Sequence, residues 1–464
     1  MVFSSIVFLS IFLPITVLLY YLIRPLAARN ILLLAVSLIF YAYGEPVFIF
    51  LMMASMLVNY FLGLALGQGK GKKAVLVTAI LLNLGMLALF KYSSWVIMGI
   101  NGMFRLSIPT VTNHLPIGIS FYTFQALSYL IDVYRGQVKQ QKNVLYFFLY
   151  ISFFPQLIAG PIIKYHDIEL QITDRHVDAD QVAAGFRRFI IGLGKKVLIS
   201  NIVAAAADYV FALSGSEMCA LSAWIGAISY MLQIYFDFSG YSDMAIGLGK
   251  IFGFTFQENF RYPYASDTMK EFWRRWHISL STWFKEYLYI PLGGNRKGKI
   301  RTSLNKLFVF FCTGLWHGAN LTFVVWGLFH GAFLFLEEYV PIRKLPKVIR
   351  HIYSLLVICV GFVIFRADNM AQAGLVLKNM FTGFSMTHAQ YVTAMKPVTA
   401  LYLVVLVLAV VAAFELIRKA AMVIMPKNEG TAVLLANIWS ILVLILCFLY
   451  LSGGSYNPFI YFRF

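Results

Sequence analysis

Ala432 to Leu451 reads AVLLANIWSILVLILCFLYL, an unbroken run without a charged side chain. A bilayer core takes roughly 20 such residues as one spanning α-helix. It offers no water to backbone N–H and C=O groups, so only helices and closed barrels satisfy them there. Barrel strands would alternate apolar and polar over about 10 residues, and this run does not. Similar runs recur from Ser4 to Tyr450, near 4–23, 30–44, 46–66, 74–91, 115–133, 145–162, 186–212, 219–238, 303–316, 319–340, 350–366 and 399–417. The shorter ones are expected to be re-entrant or buried in protein. The chain is therefore expected to be all-α, a polytopic membrane protein of about 11 spanning helices with re-entrant or interfacial helices besides. No internal repeat and no low-complexity linker interrupts it, so residues 1–464 are expected to form a single membrane domain.

Composition agrees. The 464 residues are 60% hydrophobic and 12% charged, where soluble domains carry about 25% charged residues. The net charge of +18 would suggest nucleic acid in a soluble protein. Here Lys and Arg sit in short segments between apolar runs, the positive-inside pattern. No nucleic-acid partner is expected; anionic lipid headgroups or an anionic cofactor are. Cys219, Cys312, Cys359 and Cys447 lie in or beside apolar runs without close pairing, which fits buried small hydrophobes rather than a disulfide or metal framework. Met1 to Tyr21 has no basic leader and no small-residue cleavage site, so it is expected to be a first helix rather than a cleaved signal.

Basic loops set the expected orientation. Arg24 to Arg29, then Lys70, Lys72 and Lys73, follow the first and third apolar runs; Arg418, Lys419 and Lys427 precede the last. With these in the cytoplasm, both termini are outside, and residues 452–464 form an extracellular tail.

Residues 255–306 differ from the rest. Lys270, Arg274, Arg275, Lys285, Arg296, Lys297, Lys299, Arg301 and Lys306 are interleaved with Phe272, Trp273, Trp276, Trp283, Phe284, Tyr287 and Tyr289. The mixture suits an interfacial helix at headgroup level, and equally a site for a phosphorylated cofactor. Three histidines stand in or near apolar sequence: His277, His317 in Gly314-Leu-Trp-His-Gly-Ala-Asn320, and His330 in Trp326-Gly-Leu-Phe-His-Gly331. Ionisable groups at membrane depth are costly, which makes function the default expectation. A neutral imidazole can act as a base near pH 7, or simply bond a neighbouring helix. The small residues Gly314, Gly318 and Ala319 reduce bulk beside His317, so that a backbone or a substrate can approach. Zinc ligands on one helix face would stand three or four residues apart; His317 and His330 are 13 apart, and no metal is expected.

Several segments, taken in order, resemble the membrane-bound O-acyltransferase (MBOAT) family. They are Pro116-Ile-Gly-Ile-Ser-Phe-Tyr-Thr-Phe124, Phe154-Pro-Gln-Leu-Ile-Ala-Gly-Pro161, Tyr235-Phe-Asp-Phe-Ser-Gly-Tyr-Ser-Asp243, Phe272-Trp-Arg-Arg-Trp-His277, Tyr287-Leu-Tyr-Ile-Pro-Leu-Gly-Gly-Asn-Arg296 and Leu315-Trp-His-Gly-Ala319. The match is to the bacterial branch of alginate and peptidoglycan O-acetylation, related to teichoic acid D-alanylation. It covers the chain from its first helix to about Asp368. The resemblance implies a fold with a central funnel or tunnel, the invariant catalytic histidine at His317 and a second histidine at His277. It implies transfer of an acetyl group from cytosolic acetyl-CoA to an extracellular or cell-wall polysaccharide, with an extracellular SGNH-type serine acyltransferase as partner. Asn320, Ser279 or the His277 ring then become candidates for an oxyanion donor. Arg274, Arg275, Lys285 and Arg296 become candidates for the phosphates of the donor. Trp316, Trp276 and Tyr235 shape the tunnel or simply pack, and Asp237 and Asp243 orient a ligand or pair with a buried arginine. Phe459-Ile-Tyr-Phe-Arg-Phe464 resembles a C-terminal tyrosine motif of these systems, which makes Tyr461 a candidate acyl carrier in a bacterial cytoplasmic membrane protein. A D-alanyl, lipid or protein acyltransferase of the same fold is the alternative. A transporter would show repeated halves, and a pure scaffold would not need His317.

Overall fold

The computed structural model describes residues 1–69, 71–109, 115–424, 426, 428–454 and 456–458. The described residues are helical, without a strand. The helices that matter below are α1 (Leu26–Gly44), α2 (Phe48–Gly67), α3 (Lys72–Phe104), α4 (Ala179–Phe211), α5 (Ala220–Ile251), α6 (Met269–Arg275), α7 (Ile278–Phe284), α8 (Gly298–His317), α9 (Leu321–Tyr339), α10 (Lys347–Arg366), α11 (Ala400–Ala413) and α12 (Glu429–Ser452).

Seven of the described helices are long and apolar enough to cross a bilayer: α1, α2, α3, α4, α9, α10 and α12. An eighth follows if α11 and the helix His388–Met395, bent 68° apart, make one broken span. The expected eleven is not reached by length and composition. Other apolar runs become helices that carry buried polar groups. Ile119–Arg135 buries Gln125, Ser128 and Asp132; α5 buries Gln233, Asp237, Ser239, Ser242 and Asp243. The run at 145–162 breaks at Phe153 into the short helices Val144–Ser152 and Phe154–Leu157, the second with Pro155 in its first turn. The first run forms a helix over only Phe8–Leu22.

The chain divides into two compact units, residues 1–189 with 242–258, and residues 190–241 with 259–464. The first is built on packed aromatic rings. Phe40 and Phe154 stand 5.5 Å apart, Phe153 and Phe254 4.8 Å, and Tyr20 and Phe252 5.1 Å. One of its buried cations, Arg175, donates to the Phe252 carbonyl at 3.0 Å and to Asn30 Oδ1 at 2.7 Å, so the charge has polar partners. Asp243 pairs with Arg188 at 2.6 Å, the arginine pairing expected for it.

The second unit holds all three histidines of interest. Its tightest feature is the hairpin of α8 and α9. A Cβ on Gly327 would lie 2.3 Å from the Phe310 carbonyl oxygen and 3.2 Å from Gly314 Cα; one on Gly314 would lie 2.4 Å from the Phe323 oxygen. Only hydrogen fits at these crossings, so the backbones themselves are in contact. Gly314 and Gly327 thus serve helix approach, while Gly318 makes room for the Phe323 ring. Asp237 in this unit pairs with Lys196 at 2.6 Å, both fully buried; the partner is a lysine where an arginine was expected.

Candidate active site

His317 is the last residue of α8 and His277 caps the start of α7. Their seats differ in chemistry. The His317 ring is walled by aromatic edges and faces, with Trp326 at 5.1 Å, Phe365 at 5.0 Å and Phe323 at 6.3 Å between centroids. Trp316 lies 5.0 Å from His317 and 6.2 Å from His277, so one indole neighbours both imidazoles. The 40 residues separating these histidines in sequence fold back to a shared tryptophan.

His277 has its tautomer fixed by its neighbours. Its Nδ1 lies 3.2 Å from Asn259 Oδ1. The same oxygen accepts the Ser279 backbone N–H at 3.1 Å and the Ser279 hydroxyl at 2.9 Å. A backbone N–H can only donate, so the Asn259 atom facing it is the carbonyl oxygen. His277 Nδ1 must then carry the proton, which leaves Nε2 with its lone pair. That Nε2 is buried and has no hydrogen-bond partner among the described residues. Burial also pushes the imidazole far down from its ordinary value, to about 3, so it is neutral at physiological pH.

The backbone around His277 is held to match. The residue sits at φ 44°, ψ 56°, in the left-handed region that costs a side chain of this kind on the order of 1–2 kcal/mol. Ile278 N–H donates to the Asn259 carbonyl and Arg261 N–H to the Arg275 carbonyl, both at 2.9 Å. These bonds tie the turn between α6 and α7 to the segment at 259–261. The start of α6 is anchored in turn, because Glu337 of α9 accepts the N–H groups of Met269 and Lys270 at 2.6 and 3.0 Å. Phe238 of α5 sits edge-on to the His277 ring at 4.6 Å and completes the seat.

Two of the oxyanion candidates are already committed. Asn320 caps α9 by accepting the Thr322 N–H, and its amide donates to the Asp368 carbonyl at 2.8 Å. The Ser279 hydroxyl is spent on Asn259. The neutral His277 ring, acceptor at Nε2, cannot donate from that atom. Trp276 and Tyr235 pack among Phe260, Tyr264 and Phe362.

The basic candidates line one stretch. Arg274, Lys285 and Arg296 are exposed, while Arg275 is partly buried and ion-paired to Glu271. Tyr461 lies outside the described residues. His330 on α9 is enclosed by Trp273 at 5.1 Å, Trp326 at 5.2 Å and Phe329 at 5.5 Å, and Gly361 of α10 presses its backbone against Nε2. Among the described residues, no group of three or more His, Cys, Asp or Glu could hold a metal ion. Sequence reasoning missed Asn259, Glu337 and Lys196. Asn259 lies 18 residues before His277 in a segment without a pattern, and no local signal marks it.

An all-helical membrane body with two histidines gathered at one tryptophan defines a class, and comparison agrees. The model of the MBOAT, membrane-bound O-acyltransferase family, matches residues 33–366, and the chain belongs to that family. Within it the chain falls in the bacterial O-acetylating branch and is a membrane O-acetyltransferase. It is 45% identical over 393 residues to a probable alginate O-acetylase AlgI of Pseudomonas syringae pv. tomato, covering 82% of this chain and 75% of the relative. A relative of the same name from Pseudomonas putida is 40% identical across the full length of both chains. The peptidoglycan O-acetyltransferase of Helicobacter pylori is 36% identical, covering 84% of this chain and 81% of the relative.

Proposed function

We propose that this protein moves an acetyl group from cytosolic acetyl-CoA across a bacterial cytoplasmic membrane for O-acetylation of an extracellular or cell-wall polysaccharide. The observation that carries the mechanism is the placement of His277 and His317 beside one indole, with the His277 tautomer fixed by Asn259.

The two seats divide the work. A fully buried imidazole driven toward a pKa of about 3 holds a full proton poorly, yet its Nε2 lone pair accepts a hydrogen bond well. His277 therefore orients the incoming hydroxyl. His317, the family's catalytic position, takes the proton as the hydroxyl oxygen attacks the thioester carbonyl. The new C–O bond forms, the C–S bond breaks, and the thiolate of CoA leaves with the proton that His317 returns. Arg274, Lys285 and Arg296 offer exposed charge for the donor's phosphates, with Arg275 supporting them through its pair with Glu271.

The first acceptor is the Tyr461 phenol, whose reference pKa near 10 makes the phenolate a fair leaving group when its acetyl ester is attacked. An extracellular SGNH-type partner then attacks that ester with its serine and delivers the acetyl group to the polysaccharide. Both termini lie outside, by the basic-loop pattern. Surface-polysaccharide acetylation in cells carrying His317→Ala or Tyr461→Phe tests this directly. Loss in both variants at normal protein levels is expected, with acetyl found on Tyr461 of the wild type by mass spectrometry. Loss with His317→Ala alone would discard the tyrosine step, and full acetylation with His317→Ala would discard the mechanism.

A further inference from the structure

The C-terminal segment turns back on the body of the second unit. Helix α12 lies against α4, because a Cβ on Gly194 would stand 2.8 Å from Val443 Cγ1. Val443 is nine residues before Ser452, or about 13 Å of helix rise. After Ser452 the chain passes Gly453 and Gly454, the latter at φ 64°. The next described residues then make three contacts in sequence along α4. The Tyr456 hydroxyl bonds the Asp208 carboxylate, Asn201 Nδ2 donates to Asn457 Oδ1 at 3.1 Å, and Lys196 Nζ donates to the Pro458 carbonyl. Their α4 partners run 208, 201, 196 as the tail runs 456, 457, 458, so the tail travels backward along the helix toward the level of Gly194. Extended residues reach up to about 3.6 Å each, so the six that follow Ser452, up to Pro458, are long enough for this return.

Both ends of the contact are anchored in the body. Asp208 is also held by Arg366, whose guanidinium lies over the Phe211 ring at 4.9 Å. Lys196 sits in a π-helical stretch, Lys195–Ser200, inside α4, and is paired with Asp237. Their helices meet at Gly240, where a Cβ would lie 2.7 Å from the Gly192 oxygen. Asp237 precedes Phe238, the ring that rests on His277. A buried ammonium needs acceptors, and Lys196 has a carboxylate and a tail carbonyl, which makes it a specific seat.

We propose that Asp208, Asn201 and Lys196 form a clasp for the chain's own C-terminal segment, with Lys196 as the positioning residue that sets how far the segment enters. The occupant is the segment Tyr456–Pro458, and Tyr461 follows three residues later in sequence. The consequence for acetyl transfer rests on the tyrosine relay proposed above; the clasp itself does not. A clasp in cis would hold the segment that leads to Tyr461 on the body of the protein, and so raise its effective concentration without a separate carrier subunit.

The test is backbone hydrogen exchange of the C-terminal peptide in the purified full-length protein, beside its acetyl-transfer kinetics. Lys196→Met with Asp237→Leu removes the pair without leaving a buried orphan charge. Tyr456→Phe with Asn457→Ala loosens the same contact from the tail side, where the helical body cannot unfold as a result. Each pair is expected to speed tail exchange at least about tenfold while the α8–α9 hairpin stays protected, and to lower kcat with little change in KM for acetyl-CoA. Tail exchange at the wild-type rate in both pairs would overturn the clasp. Faster exchange with unchanged kcat would overturn its positioning role. A fully active Tyr461→Phe with normal tail protection would overturn the relay alone.

Discussion

His277 and His330 are both buried imidazoles in the same unit, and their surroundings give them different chemistry. His277 stands at a helix start in a left-handed backbone, with Asn259 on Nδ1 and an open Nε2. His330 stands mid-helix among aromatic rings, and neither of its nitrogens has a hydrogen-bond partner among the described residues. A polar partner on one nitrogen decides which atom holds the proton and so creates a directed lone pair. A ring without such a partner packs, and leaves its polar atoms as a cost rather than a tool. Burial alone is therefore a poor marker of function in this protein; the orienting neighbour is a better one.

The comparison can be broken in several ways. The largest effect belongs to His317→Ala, which should lower acetyl transfer at least about a hundredfold at normal protein levels, read as kcat with purified protein. Next, Asn259→Ala releases the His277 tautomer, and kcat should fall about ten- to a hundredfold while KM for acetyl-CoA holds. Unchanged kcat there would dissolve the distinction between the two seats. Gly327→Ala places a methyl group against the Phe310 carbonyl and should destabilise the hairpin by about 1–3 kcal/mol, seen as a lower Tm. The smallest effect is expected of His330→Leu: activity within about threefold of wild type and stability equal or improved, because an unpaired polar ring gives way to an apolar chain. A large loss of kcat with intact folding would promote His330 to the reacting groups.

Much of the site was legible as residue types. The Trp316-His317-Gly318 and Arg275-Trp276-His277 segments stand out because ionisable groups are rare in apolar sequence. Their relation was not legible, since it depends on Trp316 lying near both rings, and neither spacing nor periodicity encodes a contact across 40 residues. The partners of Ser279 and Asn320 were not legible either, because a hydroxyl or amide near a histidine in sequence says nothing of what it bonds in the fold. In the fold their polar atoms are committed to Asn259, to a helix cap and to Asp368.

Sequence alone determined that the chain lives in a membrane as helices. Hydrophobic run length measures the cost of leaving water, a local property that needs no folded structure. It also determined the family, because several motifs in fixed order are written in the chain itself. The tertiary structure decided which apolar runs become polar-bearing internal helices, which histidine nitrogen keeps its lone pair, and that residues 456–458 fold back onto Lys196. These depend on which polar atoms meet in space, and a buried hydrogen bond is settled only when distant segments have packed.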